Sequence, residues 1–390
     1  MSAPGLIYLD HAATAWPKAP GVARAMGEFL DRVGANPGRS GHRLSVEAGR
    51  IVYAARETIA RLLGAPDPLR VIFTANATEA LNIALHGLLR PGDHVITSSI
   101  EHNSMMRPLR TLEQVGVRLT VTTCAQDGSL DPEDIEAAIA SDTALIALAH
   151  ASNVVGTLLP IREIGEIARR HGVLLLVDAA PTAGCVPIDM GEDGIDLLAF
   201  TGHKSLYGPP GTGGLVLGNR VDARRLRPLK QGGTGSRSDR EEQPEFLPDM
   251  LECGTLNSSG IAGLAHAARW VMDQGVAEIG HREEDLTRRL IAGLRGIPGV
   301  TLHGRLQVEG RTAVLSFTIE GREPSEIGEC LDAEHGILCR VGLHCAPAAH
   351  RTIGTFPRGT VRFSPGVHVT DEAVDRAVEA VARLARGAGG

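Results

Sequence analysis

The sequence predicts an α/β protein: a large domain built on a mostly parallel sheet, followed by a small C-terminal α+β domain. Two observations carry this. Between about residues 50 and 220, short apolar runs alternate with segments of helical period, the pattern of strands buried on both faces beneath covering helices. Beyond Gly218 the alternation stops at a glycine-rich polar stretch, 231–250, and resumes as a long helical segment and a smaller set of strands and helices. A chain of 390 residues also exceeds most single cores. The expected division is an N-terminal arm over 1–20 packing with the small domain, a large domain over 21–254, and a small domain over 255–390 that carries Cys345.

The elements follow in order. IYLDHAAT reads as a short strand or extended arm, and NPGRSGHRLS as a loop punctuated by Gly38 and Gly41. Ile51, Ala55, Ile59 and Leu62 recur at helical spacing, so a helix runs to about Leu63. Val71 to Ala75 is a short buried strand that feeds directly into a helix marked by Ala80, Leu81, Ala84, Leu85 and Leu88. That junction, around Asn76 and Thr78, suits either an anion cradle of free amides or ordinary N-capping. HVITSS (94–99) and VRLTVTT (117–123) are strands, and Asp131, Pro132 and Glu133 start a helix. TALIALAHASNVVGT is a buried strand ending in a polar loop, followed by a helix with Ile161, Ile164 and Ile167 on one face. LLLVD, LLAF and GTGGLVLG are three more strands. The second region holds TAVLSFTI, a helix near 324–333, ILCRV, TVRFS and a closing helix with Val374, Val378, Val381 and Leu384.

Composition narrows the function classes. A formal charge of −7 without a Lys/Arg block argues against nucleic acid or an anionic membrane as the main partner. Aromatic residues make up only 3%, too few for stacking platforms. No apolar run reaches the roughly 20 residues that span a bilayer. MSAPGLIYLDHAAT lacks the pattern of a signal peptide, so a cytoplasmic location is expected. The six cysteines are scattered without a CxxC pair, and the fifteen histidines are not at metal-ligand spacings, so no metal site is expected.

In an open parallel sheet, ligands bind beyond the carboxyl ends of the strands. Polar residues fall there repeatedly: Thr78, His102, Asn153, Asp178, Thr201, His203 and Lys204. Asp178 ends one buried strand and Lys204 lies just past another. An acid and a lysine so placed are what a pyridoxal phosphate site needs, the lysine to form a Schiff base and the acid to keep the pyridine nitrogen protonated.

At this point the chain resembles a known family. YLDHAAT, NATEALN, EHNS, HASNVVGT, VDAA, TGHKSLYGP, GTLN and RVGLHCAP occur in the order and approximate spacing of the cysteine desulfurase branch of the fold-type I, class V aminotransferase-like pyridoxal phosphate enzymes. The short stretch around RVGLHCAPAAHRTIGT resembles the group related to selenocysteine lyases. The resemblance implies roles residue by residue. Lys204 is the Schiff-base lysine, Asp178 the partner of the pyridine nitrogen, and His102 the ring stacked on the cofactor. Ala77, Thr78, Thr201 and His203 match the cofactor-binding set. Thr255 resembles a threonine that a partner protomer lends to the same phosphate, which implies a homodimer. Asn153 lies near the cofactor's phenolic oxygen and the substrate, Arg362 grips the substrate carboxylate, and Arg340 and His42 are further substrate contacts.

Cys345 carries the distinctive chemistry implied by the resemblance. Its thiolate takes sulfur from L-cysteine, alanine leaves, and the persulfide passes to an acceptor. The flanking Gly342, Pro347 and Ala348 predict an exposed, mobile loop there. Competing readings are a selenocysteine lyase or a cystine C–S lyase on the same fold, or a non-catalytic scaffold. One residue departs from the family pattern. Pro181 stands three places past Asp178, where the family commonly has a glutamine that donates to the cofactor's phenolic oxygen, and proline has no side-chain donor.

Overall fold

A computed structural model describes residues 5–38 and 40–387. In chain order the elements are β1 (Ile7–Tyr8), α1 (Val22–Arg32), α2 (Arg43–Leu63), β2 (Val71–Thr74), α3 (Ala77–Leu88), β3 (His94–Ser98), α4 (Asn103–Gln114), β4 (Arg118–Thr122) and α5 (Pro132–Ala138). Then come β5 (Thr143–Ala149), α6 (Ile161–His171), β6 (Leu174–Asp178), β7 (Leu197–Thr201), β8 (Gly213–Leu217), α7 (Ser258–Gln274) and α8 (Val276–Arg295). The chain closes with β9 (Val300–His303), β10 (Leu315–Ile319), α9 (Pro324–His335), β11 (Ile337–Leu338), β12 (Arg340–Gly342), α10 (Pro347–Thr352), β13 (Thr360–Phe363) and α11 (Asp371–Arg386).

The central sheet has seven strands in the order β2-β8-β7-β6-β5-β3-β4. Its pairs are parallel except those made by β8, which runs antiparallel to both β2 and β7. The continuous apolar runs are explained by burial on both faces. Ile146 and Leu148 of β5, Leu175 and Val177 of β6, and Leu198 and Phe200 of β7 join one core, while Leu145, Ala147, Leu176, Leu197 and Ala199 join the other. Period-two alternation then separates two apolar faces rather than an apolar from a polar one.

The small domain is an antiparallel sheet, β12-β13-β10-β9. Leu286, Leu290 and Leu294 of α8, Ile327 and Leu331 of α9, and Val374, Ala377 and Val381 of α11 pack with it in a third core. ILCRV does not form one strand. It divides at Cys339 into β11, which pairs in parallel with β1, and β12, which joins β13. The arm thereby enters the small domain, and Ile7 and Leu9 share its core.

The expected boundary before residue 255 falls ahead of α7, yet Ile261, Leu264, Ala265 and Ala268 of α7 are buried in the first core of the large domain. The helical segment breaks instead at Gly275, whose φ of 86° a glycine adopts without a Cβ penalty. α7 thus packs with the first core and ends at Gly275, where α8 turns toward the third. The 231–250 stretch contains no helix or strand, and none of its residues lines the cavity described next.

Candidate active site

The carboxyl ends of β3, β5, β6 and β7 and the N-terminal ends of α3 and α4 open onto one cavity of about 220 Å³. Its walls include all seven polar residues marked at strand ends, together with Ala77, Pro181 and Arg340, and Ala12 and Ala13 from the arm. Parallel strands explain the convergence, because each delivers the residue after its last apolar position to the same edge.

At one end lies the start of α3. Asn76 caps the helix through Oδ1, accepting the Glu79 N–H at 2.9 Å, so capping and an anion cradle coexist rather than compete. The amides of Ala77 and Thr78 precede the first intrahelical bond and carry the positive end of the helix dipole. The Thr78 hydroxyl adds a donor and bonds Ser104 at 2.7 Å. Thr201 and His203 approach this end because β8 begins with glycine. A Cβ on Gly213 would lie 2.6 Å from Phe200 O and 2.9 Å from the Asn76 backbone.

On the floor, Asp178 is 4% exposed and accepts the Ala180 N–H at 3.0 Å through Oδ1. Burial raises its pKa above the usual carboxylate range, opposed by the Ala180 N–H and by Lys204. A buried acid of this kind is best served by a cationic N–H donor. Lys204 is lowered to about 8, first by burial, with Arg362 and Arg340 pushing the same way and Asp178 opposing. His102 caps α4: its Nδ1 accepts the Ser104 N–H at 3.1 Å, which leaves the proton of the neutral ring on Nε2. Burial, reinforced by Lys204 and Arg340, lowers its pKa to about 4, so the ring is neutral at physiological pH. A dianion cradle, a buried acid, a flat neutral ring and a depressed lysine together fit pyridoxal 5'-phosphate.

The model of the class-V aminotransferase family matches residues 7–377. The chain belongs to this family.

Relatives place this class-V protein in the cysteine desulfurase branch. It is 36% identical to a probable cysteine desulfurase of Methanothermobacter thermautotrophicus, over 97% of this chain and 94% of that one. A cysteine desulfurase IscS of Pectobacterium carotovorum is 33% identical over 96% and 91% of the two chains. A probable cysteine desulfurase of Mycolicibacterium paratuberculosis is 35% identical over 98% of this chain, which spans only 56% of that protein's length. The apo cysteine desulfurase of Thermococcus onnurineus superimposes with a TM-score of 0.92 at 31% identity, covering 98% of this chain and 95% of the other.

The remaining residues marked in the sequence of this class-V protein fall into two groups. Cys345 reaches the site through Arg340, whose Nη2 lies 3.1 Å from Sγ while the same side chain lines the cavity. The cysteine is exposed, as expected, and the segment that carries it is anchored on both sides. Cys345 O accepts the Asn103 N–H at 2.8 Å, and Ala346, Ala349 and Ile353 enter the large-domain core. His344 and Cys345 both adopt left-handed backbone, φ 48° and 59°, at a typical cost of about 1–3 kcal/mol each. The surrounding contacts over-determine that turn.

Arg362 is not in the cavity wall. It is wholly buried, with Nη2 donating to Asp10 Oδ1 at 2.8 Å, Nη1 donating to Asn153 O at 3.0 Å, and Nε without a partner. Asn153 itself lines the cavity but also gives Nδ2 to His344 O at 2.8 Å. His42 is exposed and caps α2 by accepting the Ser45 N–H. Thr255 lines a different cavity and accepts from Asn36 at 3.3 Å. Neither His42 nor Thr255 lines the Lys204 cavity of the same chain.

Sequence reasoning missed Ser104 and Asp10. A serine two places past His102 at a helix start was the available signal for Ser104. Nothing local in YLDHAAT indicates that Asp10 pairs with an arginine 352 positions away. Among the described residues, no three His, Cys, Asp or Glu side chains form a metal-binding group, and no helix is long and apolar enough to cross a membrane.

Proposed function

We propose that the chain is a pyridoxal 5'-phosphate-dependent cysteine desulfurase that converts L-cysteine to L-alanine and carries the sulfur as a persulfide on Cys345. The observation that carries this reading is the placement of Arg340, which lines the Lys204 cavity and touches the Cys345 sulfur. That contact joins a thiol to a site otherwise suited to many amino-acid reactions.

When bound, the cofactor supplies an electron sink for the substrate's carbon–sulfur chemistry. Ala77, Thr78, Thr201 and His203 would hold its phosphate, Asp178 its ring nitrogen and His102 its ring face. Lys204 Nζ accepts and returns protons at the substrate, a task suited to an amine whose pKa burial has brought to about 8. Arg340 offers its guanidinium to the substrate carboxylate and stabilises the Cys345 thiolate. The thiolate attacks the substrate sulfur, the bond from that sulfur to the β-carbon breaks, and a sulfur–sulfur bond forms on Cys345. The β-carbon takes a proton and alanine departs. Arg362, paired with Asp10, acts as a second positive charge behind this group. Pro181 offers no donor to the phenolic oxygen, and Asn153, which lines the cavity, keeps a second Nδ2 hydrogen that could serve there.

Thr255 and His42 lie outside their own chain's cavity, and we propose a homodimer in which they serve the partner's site. Because the Cys345 turn is anchored on both sides, the sulfur acceptor is a protein or reductant that brings its own thiol to Sγ. All six cysteines are unpaired, which supports a reducing, cytoplasmic setting.

The deciding assay supplies holoenzyme with L-cysteine, with and without a thiol reductant. Equal yields of alanine and sulfide are expected with reductant, and absence of alanine rejects the reading. A second expectation concerns pH. Burial has lowered the pKa of Lys204, so its reactive neutral form fills at lower pH than that of an ordinary lysine. Covalent uptake of pyridoxal 5'-phosphate by apoprotein should accelerate about tenfold per pH unit below pH 8 and level off above it. Stopped-flow absorbance reads this, and a rate still climbing to about pH 10 would show an unperturbed lysine.

A further inference from the structure

One run of large-domain backbone takes several hydrogen bonds from the small domain. Four consecutive carbonyls after β5 each accept from the small domain. Asn153 O takes Arg362 Nη1 at 3.0 Å, and Val154 O takes the Ser316 hydroxyl at 2.7 Å. Val155 O takes Arg311 Nη2 at 3.2 Å, and Gly156 O takes the Thr312 N–H at 2.8 Å. Gly156 permits the approach: its φ is +79°, and a Cβ there would sit 2.7 Å from Val314 O.

One of these bonds continues toward the cysteine. Ser316 Oγ gives its proton to Val154 O, so it accepts from the Thr360 hydroxyl at 3.1 Å. Thr360 Oγ1, having spent its proton, accepts from His344 Nε2 at 3.0 Å. The donor sequence His344 → Thr360 → Ser316 → Val154 O therefore has one direction, and it sets the His344 tautomer with the proton on Nε2. All three side chains are buried, at 2%, 0% and 0% exposure, so a broken link cannot be repaired from bulk water. His344 is the first of the two left-handed residues, and Cys345 is the second.

We propose that Thr360 and Ser316 are positioning residues for Cys345, holding the strained His344–Cys345 turn so that Sγ stays against Arg340 at the Lys204 cavity. The proposal rests on the desulfurase reading above for its catalytic consequence, but not for its geometry. Neither hydroxyl lines the cavity, so neither touches substrate or cofactor. Their effect passes through the backbone of residue 344. A displacement of about 1 Å at a reacting atom can cost on the order of 100-fold in rate.

The test compares Thr360→Val, Thr360→Ser and Ser316→Ala holoenzymes in two measurements. The first is the single-turnover rate of persulfide formation and the KM for L-cysteine. The second is the rate at which Cys345 is alkylated by iodoacetamide at fixed pH, in the absence of substrate. Thr360→Val is expected to slow persulfide formation about 10- to 100-fold. KM should stay within about twofold, and visible cofactor absorbance should be unchanged. Alkylation should slow several-fold as the Arg340 contact with Sγ is lost. Thr360→Ser, which keeps the hydroxyl, should restore both rates to within about threefold of wild type.

A Thr360→Val enzyme within twofold of wild type in both rates overturns the proposal, as does a Thr360→Ser enzyme no better than Thr360→Val. Should Thr360→Val fail to fold, Ser316→Ala carries the same test, and wild-type rates in it overturn the proposal. If wild type forms no persulfide, the desulfurase reading fails, and the alkylation series still decides the positioning role.

Discussion

Replacement of Cys345 by alanine is expected to reduce persulfide formation from L-cysteine by on the order of 1,000-fold or more, while visible cofactor absorbance stays at the wild-type level. The separation follows from the layout. Cys345 is not among the residues lining the Lys204 cavity and meets it through Arg340, so truncating the thiol leaves the cofactor-holding residues in place. The backbone is indifferent to the change as well, because the turn is held by Asn103 N–H, by Asn153 Nδ2 on the neighbouring carbonyl and by core contacts of Ala346 and Ala349. Mass spectrometry of protein incubated with L-cysteine measures the persulfide directly. Persulfide formation at the wild-type rate in Cys345→Ala would move the sulfur-accepting role to another residue.

Replacement of Lys204 by alanine should have the complementary effect, removing both turnover and the covalent hold on the cofactor. The loss of activity should again be on the order of 1,000-fold or more, since one amine serves as anchor and as proton carrier. The α3 N-terminus and the Ala180 N–H bond to Asp178 do not depend on Lys204, so under the proposed reading non-covalent cofactor affinity should persist. Dialysis should then strip pyridoxal 5'-phosphate from Lys204→Ala protein but not from wild type. A Lys204→Ala protein that keeps its colour and its turnover would sink the assignment. Removing Lys204 also removes a nearby charge that favours the ionised carboxyl, so the Asp178 pKa should rise further in this variant when no cationic cofactor group faces it.

Much of the large domain was legible because its signals are local. Runs such as LLLVD and LLAF announce strands covered on both faces, and the residue after each run must lie at the carboxyl edge of the sheet. Seven polar residues could therefore be assigned to one edge from periodicity alone, and all seven line the cavity. The helix at Ala77 was legible from its apolar stripe, although spacing could not decide between a cap and an anion cradle. Asn76 uses its side chain on Glu79 N–H and leaves the amides of Ala77 and Thr78 for a ligand.

Other features depend on partners far away in the chain. ILCRV reads as one strand because its four apolar residues and Arg340 carry no mark of where pairing partners change, yet β1 takes its first half and β13 its second. The packing of α7 in the first core is not legible in sequence, because a glycine-rich loop looks like a linker whichever core the next helix joins. Arg362 was read as a free fork, and its bond to Asp10 is invisible in sequence.

The sequence by itself determined the sheet, its functional edge, the acid and lysine poised there, and a cysteine flanked by turn-forming residues. Each of these is written in short-range periodicity or in a local motif. Only the tertiary structure decided how the cysteine is held: a left-handed turn fixed by Asn153, Asn103 and the Thr360–Ser316 pair, docked on four carbonyls of one loop. Those bonds join residues up to about 200 positions apart, and hydrogen bonds at that separation exist only once both domains have packed.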